Sequence, residues 1–221
     1  IGSVQPQARR IAEIGSGTCI FAHLLGSRLP DCEQVVCFEP VAELLAAARD
    51  FPEIQAVHGG AVEFARQETG QSFDLIYTKD TAHHFASDTL PEIHCGFCRK
   101  LRPGGRYLMA VRTPPVNELV PVGRAACARW SDLYTPLTDL LQAIRAIEDW
   151  REVEVSRWEK AVATSVDEWI AGVQRQDTWS VFSALSPDET SSTVRELTER
   201  FRGADSFQFL HQYDVAVFEK R

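Results

Sequence analysis

The stretch AEIGSGTC, residues 12–19, ends a short apolar run at two glycines one residue apart, with Glu13 just ahead of them. Glycine at alternate positions lets a strand turn sharply and lets backbone come close to a ligand that a Cβ would hold off. The residues that follow, TCIFAHLLGSRL, place Ile20, Leu24 and Leu25 at helical spacing. Strand, glycine turn and helix in that order raise two questions: whether the alternation continues, and what the turn holds.

The alternation continues. EQVVCFEP is a short buried strand closed by Pro40, and VAELLAAARD after it is rich in helix formers. IQAVHGG is a third strand ending in paired glycines, and FDLIYTKD is a fourth. TLPEIHCGFCRKL reads as helix, and RPGG as a turn into a fifth strand, RYLMAVRT. Strands separated by helices of this length imply right-handed crossovers and a mostly parallel, doubly wound α/β sheet with helices on both faces. The rest is less regular. After the Pro-rich RTPPVNELVPVG comes a helical stretch, ACARWSDLYTPLTDLLQAIRAI, with a break near Pro136, and then WREVEVSRWEKAVAT, whose alternating valines suggest a strand. Ser165 with Glu168, and Ser186 with Glu189, carry the Ser-x-x-Glu start signal of helices. DSFQFLHQYDVAVFEKR closes the chain as a long apolar strand. The expectation is one domain over residues 1–221 built on a seven-stranded sheet: a regular half over 1–113, a divergent region with a helical insertion over 114–206, and a last strand over 207–221.

Composition excludes several partners. The 221 residues carry 23 basic and 31 acidic side chains, a formal charge of -8, with no run of Lys or Arg to lay along phosphates. Nucleic acid is therefore not expected as a partner. No apolar run approaches the ~20 residues needed to span a bilayer, and no signal peptide is visible, so a cytoplasmic protein without membrane contact is expected. The six cysteines are scattered through a chain large enough to need no staples, and reduced thiols fit best. Cys95 and Cys98 in HCGFC have metal-like spacing beside His94, but no second pair completes a zinc site, so no metal is expected and an apolar helix face is the plainer reading.

A dinucleotide fingerprint requires G-x-G-x-x-G/A, since a third small residue lets helix and strand pack closely over the pyrophosphate. Counted from Gly15 and Gly17, that position is Ile20, which weakens an NAD-dependent oxidoreductase reading. The stretch does match acidic-x-Gly-x-Gly, with Glu13 set to reach the cationic end of a ligand. With EIGSGTC, CFEP, GGAVEFA, FDLIYTKDTAHHF and RKLRPGGRYLM in order, the first half resembles the class I S-adenosylmethionine-dependent methyltransferases of the methyltransferase type 11 kind. The resemblance implies a Rossmann-like sheet, S-adenosylmethionine as cofactor and a small-molecule methyl acceptor. It implies that Gly15, Ser16 and Gly17 form the cofactor turn beside Glu13, and that Glu39, with Pro40 after it, accepts the ribose hydroxyls. Glu39 also stands near the ~20-residue spacing at which this topology places a ribose acceptor. Gly60, Ala61 and Val62 would hold the adenine, and Thr78 and Lys79 would face the methionine part. The family turn usually has a third glycine where Cys19 stands, and the usual Asp of the adenine site is Gly60 here. Such enzymes also carry a helical segment before the first strand, so residues ahead of Ile1 are expected to be missing from this sequence.

A thinner resemblance, to trans-aconitate methyltransferase-type enzymes, rests on TAHHF and on VDEWIAGVQRQDTWSVFSAL. It implies that His83 or His84 acts at the reacting end and that the Thr178-Trp179-Ser180 segment helps build the acceptor pocket. A hydroxyl or amine acceptor benefits from a base, and His suits that task; a carboxylate acceptor would need none. The alternative is that these histidines bond loop carbonyls. His58 and His94 read as structural and His23 as a solvent-side helix residue. Trp169, Trp179, His211 and Tyr213 fit either a pocket wall or a core, and Arg175 either an anionic acceptor or a solvated helix face. Three functions stay open: small-molecule O- or N-methylation, carboxyl O-methylation included; an NAD-dependent oxidoreductase; and a non-catalytic binding subunit on a methyltransferase fold. Oligomeric state is not legible.

Overall fold

The first strand, β1 (Arg10–Ile14), is buried along almost its whole length, which is what a central strand covered on both faces requires. It pairs in parallel with β2 (Gln34–Glu39) on one side and with β4 (Phe73–Lys79) on the other. β3 (Ile54–His58) adds beyond β2, and β5 (Leu101–Arg112) beyond β4, again in parallel. With β6 (Trp150–Ser165) and β7 (Ser206–Lys220) the seven strands run in the order β3-β2-β1-β4-β5-β7-β6. The sheet is mostly parallel with one antiparallel hairpin. The order reverses between β1 and β4, the switch point outside which open α/β sheets bind their ligands. This computed structural model describes residues 5–67, 72–114 and 120–221, with nothing said of the Ser131 side chain. Part of the Pro-rich stretch, residues 115–119, therefore lies outside the described residues.

Helices α1 (Ile20–Gly26), α2 (Ala42–Leu45), α3 (Ala61–Arg66) and α4 (Leu90–Lys100) connect the first five strands. Two local readings need correction. The alanine-rich VAELLAAARD is α-helical only over α2 and tightens into a 3₁₀ turn over Ala46–Asp50. RPGG is not a turn ahead of β5 but lies inside it: Leu101 pairs with Phe73, the next partners are Leu75 and Arg106, and Gly104 takes φ +75° in the residues bulged out between. A left-handed residue is cheap there only for glycine.

By its contacts the chain divides into two compact units. One comprises residues 1–111, 135–156 and 214–221, and the other 112–134 and 157–213. The first contains the parallel strands and an apolar core with Ile14, Phe38, Phe64, Ile76, Phe97, Tyr107 and Trp150. Residues 135–156, with α6 (Leu137–Arg145), belong to it although they fall within the stretch 114–206. Helix α5 (Arg124–Leu133) stops short of Pro136, the expected break.

The second unit is held by an aromatic core of Trp130, Tyr134, Trp169, Trp179, Phe182 and Phe209. The expected start signals are used. Ser165 accepts the Glu168 N–H at the head of α7 (Val166–Arg175), and Ser186 with Glu189 forms a reciprocal capping box on α9 (Pro187–Arg200). Between them α8 (Ser180–Ser183) is a single turn.

Candidate active site

The carboxyl ends of β1, β2 and β4 meet at a turn in which three residues take left-handed backbone: Gly15 at φ +72°, Gly17 at +56° and Cys19 at +61°. The turn is fastened from below. The amides of Gly15 and Ser16 both donate to the Phe38 carbonyl, at 2.7 and 3.1 Å, and Cys19 N–H closes onto the Ser16 carbonyl at 2.9 Å. Gly15 could not be any other residue, because a Cβ there would lie 2.2 Å from the Thr81 methyl. A Cβ on Gly17 would meet nothing within 4 Å among the described residues.

Glu39 ends β2 with its carboxylate turned back over this turn. Oε2 accepts the Gly17 N–H at 2.8 Å and Oε1 accepts the Val41 N–H at 2.9 Å. Although Glu39 is only 5% exposed, both oxygens meet backbone donors, and each keeps lone-pair capacity for a further donor. Pro40 follows, its carbonyl bonded by His58 Nε2 at 2.9 Å. Next along the sheet, Gly60 opens α3 with its N–H given to the Glu63 carboxylate at 2.8 Å, Ala61 is buried and Val62 half-buried.

Glu13 is 2% exposed and stands level with Cys37 on one side and Tyr77 on the other. Burial pushes its carboxyl up to about 8; the nearby Tyr77 phenol and the charge of Lys79 oppose that rise, and the neighbouring Glu39 adds to it. At neutral pH the group is mostly a neutral acid. Lys79 closes β4 with its ammonium 2.8 Å from Asp80, and Asp80 takes φ +55°. Thr78 is turned the other way, into the core, its hydroxyl 3.0 Å from that of Tyr107. It does not join the other predicted cofactor residues.

His83 and His84 lie on a 3₁₀ turn, Ala82–His84, that follows β4 directly. Thr81 ties this turn to the glycine turn, its hydroxyl lying 3.0 Å from the Gly15 carbonyl and 3.1 Å from that of Lys79. The two imidazoles face each other with centroids 4.3 Å apart. His83 is buried and its carbonyl accepts the Thr135 N–H at 2.8 Å. His84 keeps part of its surface open, yet surrounding protein holds its pKa below the ordinary value against the opposing charge of Asp80. Thr81, not among the predicted residues, joins the two turns; a Thr directly ahead of a His-rich loop was the signal available.

The residues predicted for the acceptor all fall in the second unit and part company there. Trp169 is core, its indole N–H donated to the Pro121 carbonyl at 2.8 Å. Arg175 is exposed and paired with Asp177 at 2.6 Å. Trp179, His211 and Tyr213 do come together: Trp179 stacks on His211 at 5.7 Å, and His211 lies 5.0 Å from Tyr213. The cation in this cluster is Arg112, which the sequence reading did not single out. Its guanidinium carbon lies 4.0 Å from the Trp179 ring centre.

Among the described residues no group of three or more His, Cys, Asp or Glu is placed to hold a metal ion, and no helix is long and apolar enough to cross a membrane. None of the described cysteines is joined in a disulfide.

Residues 11–105 match the family model of the methyltransferase domain. No curated protein sequence matches the chain. Among solved structures, one from Bacillus halodurans C-125 that carries a methyltransferase assignment superposes with a TM-score of 0.64 at 16% identity, over 99% of this chain and 95% of the other. The YcgJ protein of Bacillus subtilis gives 0.62 at 19% identity, covering 97% and 93%. The N-methyltransferase NodS of Bradyrhizobium japonicum WM9, solved with S-adenosyl-L-homocysteine, gives 0.55 at 14% identity, covering 96% and 78%.

Proposed function

We propose that this chain, a class I S-adenosylmethionine-dependent methyltransferase, passes the methyl group to a hydroxyl or amine of a small molecule. The cofactor supplies a methyl already activated on a sulfonium, so the residues need mainly to hold, orient and dry the reacting partners. The glycine turn fits it: Glu39 at the end of β2 accepts the Gly17 N–H, and Glu13 lies near the end of β1, two residues ahead of Gly15. Glu39, with Pro40 after it, would take the ribose hydroxyls, Gly60, Ala61 and Val62 the adenine, and Glu13 and Lys79 the methionine end.

The observation that carries the acceptor chemistry is the Thr81 hydroxyl on the Gly15 carbonyl. It fixes the His83–His84 turn to the glycine turn, so an imidazole is held beside the backbone that would carry the cofactor. His84, kept neutral by its surroundings, has a lone pair with which to take the acceptor's proton as the new bond forms. His83, more buried, would orient it or take the proton itself.

The test has two stages. S-adenosylhomocysteine must raise the melting temperature, as a ligand of the native state does. A panel of small hydroxyl and amine compounds is then assayed for S-adenosylhomocysteine formation. With an acceptor in hand, His83→Ala and His84→Ala are compared with wild type. Loss of the base lowers turnover by roughly 10²–10⁴-fold while cofactor affinity holds. Wild-type turnover in both variants would remove the imidazoles from the proton transfer and leave positioning as the whole of the catalysis.

A further inference from the structure

We propose that Cys19 and Cys37 form a redox pair that closes to a disulfide beneath the glycine turn and weakens the hold of that turn on its ligand. Cys37 lies in the middle of β2, level with Glu13 on β1 and with Ala56 on β3. Its thiol is fully buried and lies 4.0 Å from Glu13 Oε2. Cys19, also fully buried, stands over the same place. The Gly15 and Ser16 amides bond the carbonyl of Phe38, the residue after Cys37, and Cys19 closes back onto Ser16 through its N–H and through its thiol, 3.4 Å from Ser16 Oγ. Hydrogen bonding and charge at Cys19 both act on the Cys37 thiol, as does the Ser16 hydroxyl, so the two sulfurs are neighbours in one buried cluster. The chain keeps the Cys19 thiol at a cost, since it is carried on left-handed backbone at φ +61° that glycine would take freely.

Hydrogen peroxide is an oxidant small enough for such a place. The Cys19 sulfur attacks one peroxide oxygen and the O–O bond breaks; Cys19 becomes a sulfenic acid, and the departing hydroxide leaves as water with the Cys19 proton. The Cys37 sulfur then attacks the sulfenic sulfur. The S–O bond breaks, the S–S bond forms, and a second water leaves with the Cys37 proton. Two thiols are oxidised and one peroxide is reduced to two waters. Burial pushes the Cys37 thiol up, which suits it to the second step, where its proton goes to the leaving oxygen. Bonded sulfurs lie ~2.05 Å apart, well inside the separation of two touching thiols, so one of the pair must move. Cys37 is held in a strand paired in parallel on both sides, so it is Cys19 that moves, drawing Ser16 and Gly17 with it. A ligand seated on the turn opposes that movement and slows the linkage. The linkage itself stands apart from the methyltransferase reading; its effect on the cofactor rests on that reading.

The full chain, reduced and freed of reductant, is treated with hydrogen peroxide with and without saturating S-adenosylhomocysteine. After unfolding in the presence of a thiol-blocking reagent, peptide mass mapping reads the linkage. A Cys19–Cys37 pair lighter by two hydrogens and returned to thiols by dithiothreitol is expected, forming about tenfold more slowly with the ligand present. Calorimetry should show S-adenosylhomocysteine bound about tenfold more weakly, or weaker still, by the oxidised protein, with recovery on reduction. Cys37→Ala should bind the ligand equally before and after peroxide, and Cys19→Gly makes the same test if Cys37→Ala fails to fold. Both cysteines recovered as blocked thiols, oxidation to sulfinic acid without linkage, linkage between other cysteines in their place, or unchanged affinity in the linked protein overturns the proposal. Absence of S-adenosylhomocysteine binding by the reduced protein would instead overturn the methyltransferase reading, and the peptide map would still decide the linkage.

Discussion

Replacing Glu13 by Gln should change how stability depends on pH, and the expected size follows from where Glu13 sits. In the folded chain its carboxyl is pushed up to about 8 by burial; unfolded, it returns to the ordinary 4.5. Between those values the unfolded chain ionises while the folded chain keeps its proton. The Glu13 contribution to stability is therefore greatest below 4.5 and is lost as pH rises toward 8, at up to about 1.4 kcal/mol per pH unit. Over the whole interval this approaches ~5 kcal/mol, an upper bound, because relaxation around a newly charged group lowers the penalty. Gln has the same shape and no proton to lose, so Glu13→Gln should be flat over that window. The assay is urea unfolding of both proteins at pH 5, 6, 7 and 8, reading the difference between them so that every other titrating group cancels. A difference that stays constant across the series refutes the assigned burial effect.

Glu13 also predicts a linkage to cofactor binding. With a carboxyl at about 8, roughly nine in ten Glu13 side chains carry the proton at pH 7. A bound ammonium or sulfonium nearby would favour the carboxylate and expel that proton. Calorimetry of S-adenosylmethionine binding in two buffers of different ionisation enthalpy should show close to one proton released at pH 7, and none in Glu13→Gln. Release of the same number in both would place the cation elsewhere.

Glu39→Ala removes the acceptor of two backbone N–H groups as well as the expected ribose contact. Since both amides lose a charged acceptor, destabilisation of about 2–3 kcal/mol and a ten- to hundredfold loss of S-adenosylhomocysteine affinity are expected, read by thermal unfolding with and without ligand; an unmoved melting temperature would show that the carboxylate does not hold the turn. At Cys19, whose φ is +61°, Gly relieves the left-handed strain but loses a buried thiol, so Cys19→Gly should stay within about 1 kcal/mol of wild type while Cys19→Val costs about 2 kcal/mol or more in urea unfolding. Equal tolerance of Val and Gly would contradict the turn geometry. His94, sealed in α4 against Phe97 and Tyr107, is pulled down to about 4 by burial. The unfolded chain takes up its proton below about 6.5, so stability should fall from there toward pH 4 by up to about 1.4 kcal/mol per unit, and His94→Leu should flatten that limb.

The parallel strands and the glycine turn were legible because their signals are backbone signals. Glycine at 15 and 17 announces left-handed geometry wherever it occurs, and the structure uses both that way. Cys19 shows the limit of such reading. The departure from glycine at position 19 was visible, but that the residue would keep the glycine's conformation, with its thiol fully buried and 3.4 Å from Ser16, depends on packing that sequence does not display. Thr78 shows a related limit: alternation along β4 fixes which face each residue takes only once the register of the strand is known, and Thr78 points at Tyr107.

In the divergent region the same residue types serve two ends, and nothing local separates them. Trp169 and Trp179 are both buried aromatics on or beside short helices, yet one hands its indole N–H to a backbone carbonyl and the other carries a guanidinium on its face. Arg175 stands close to Trp179 along the chain, but two positions on it finds Asp177 and pairs with it on the surface. Arg112 is far from Trp179 in sequence and is brought to it only by the fold of the second unit. The turn after β1 can be recognised from its backbone requirements, because glycine takes left-handed φ values at little cost. In the second unit, by contrast, which aromatic ring meets which cation is decided by long-range packing of side chains, and local sequence does not display that packing.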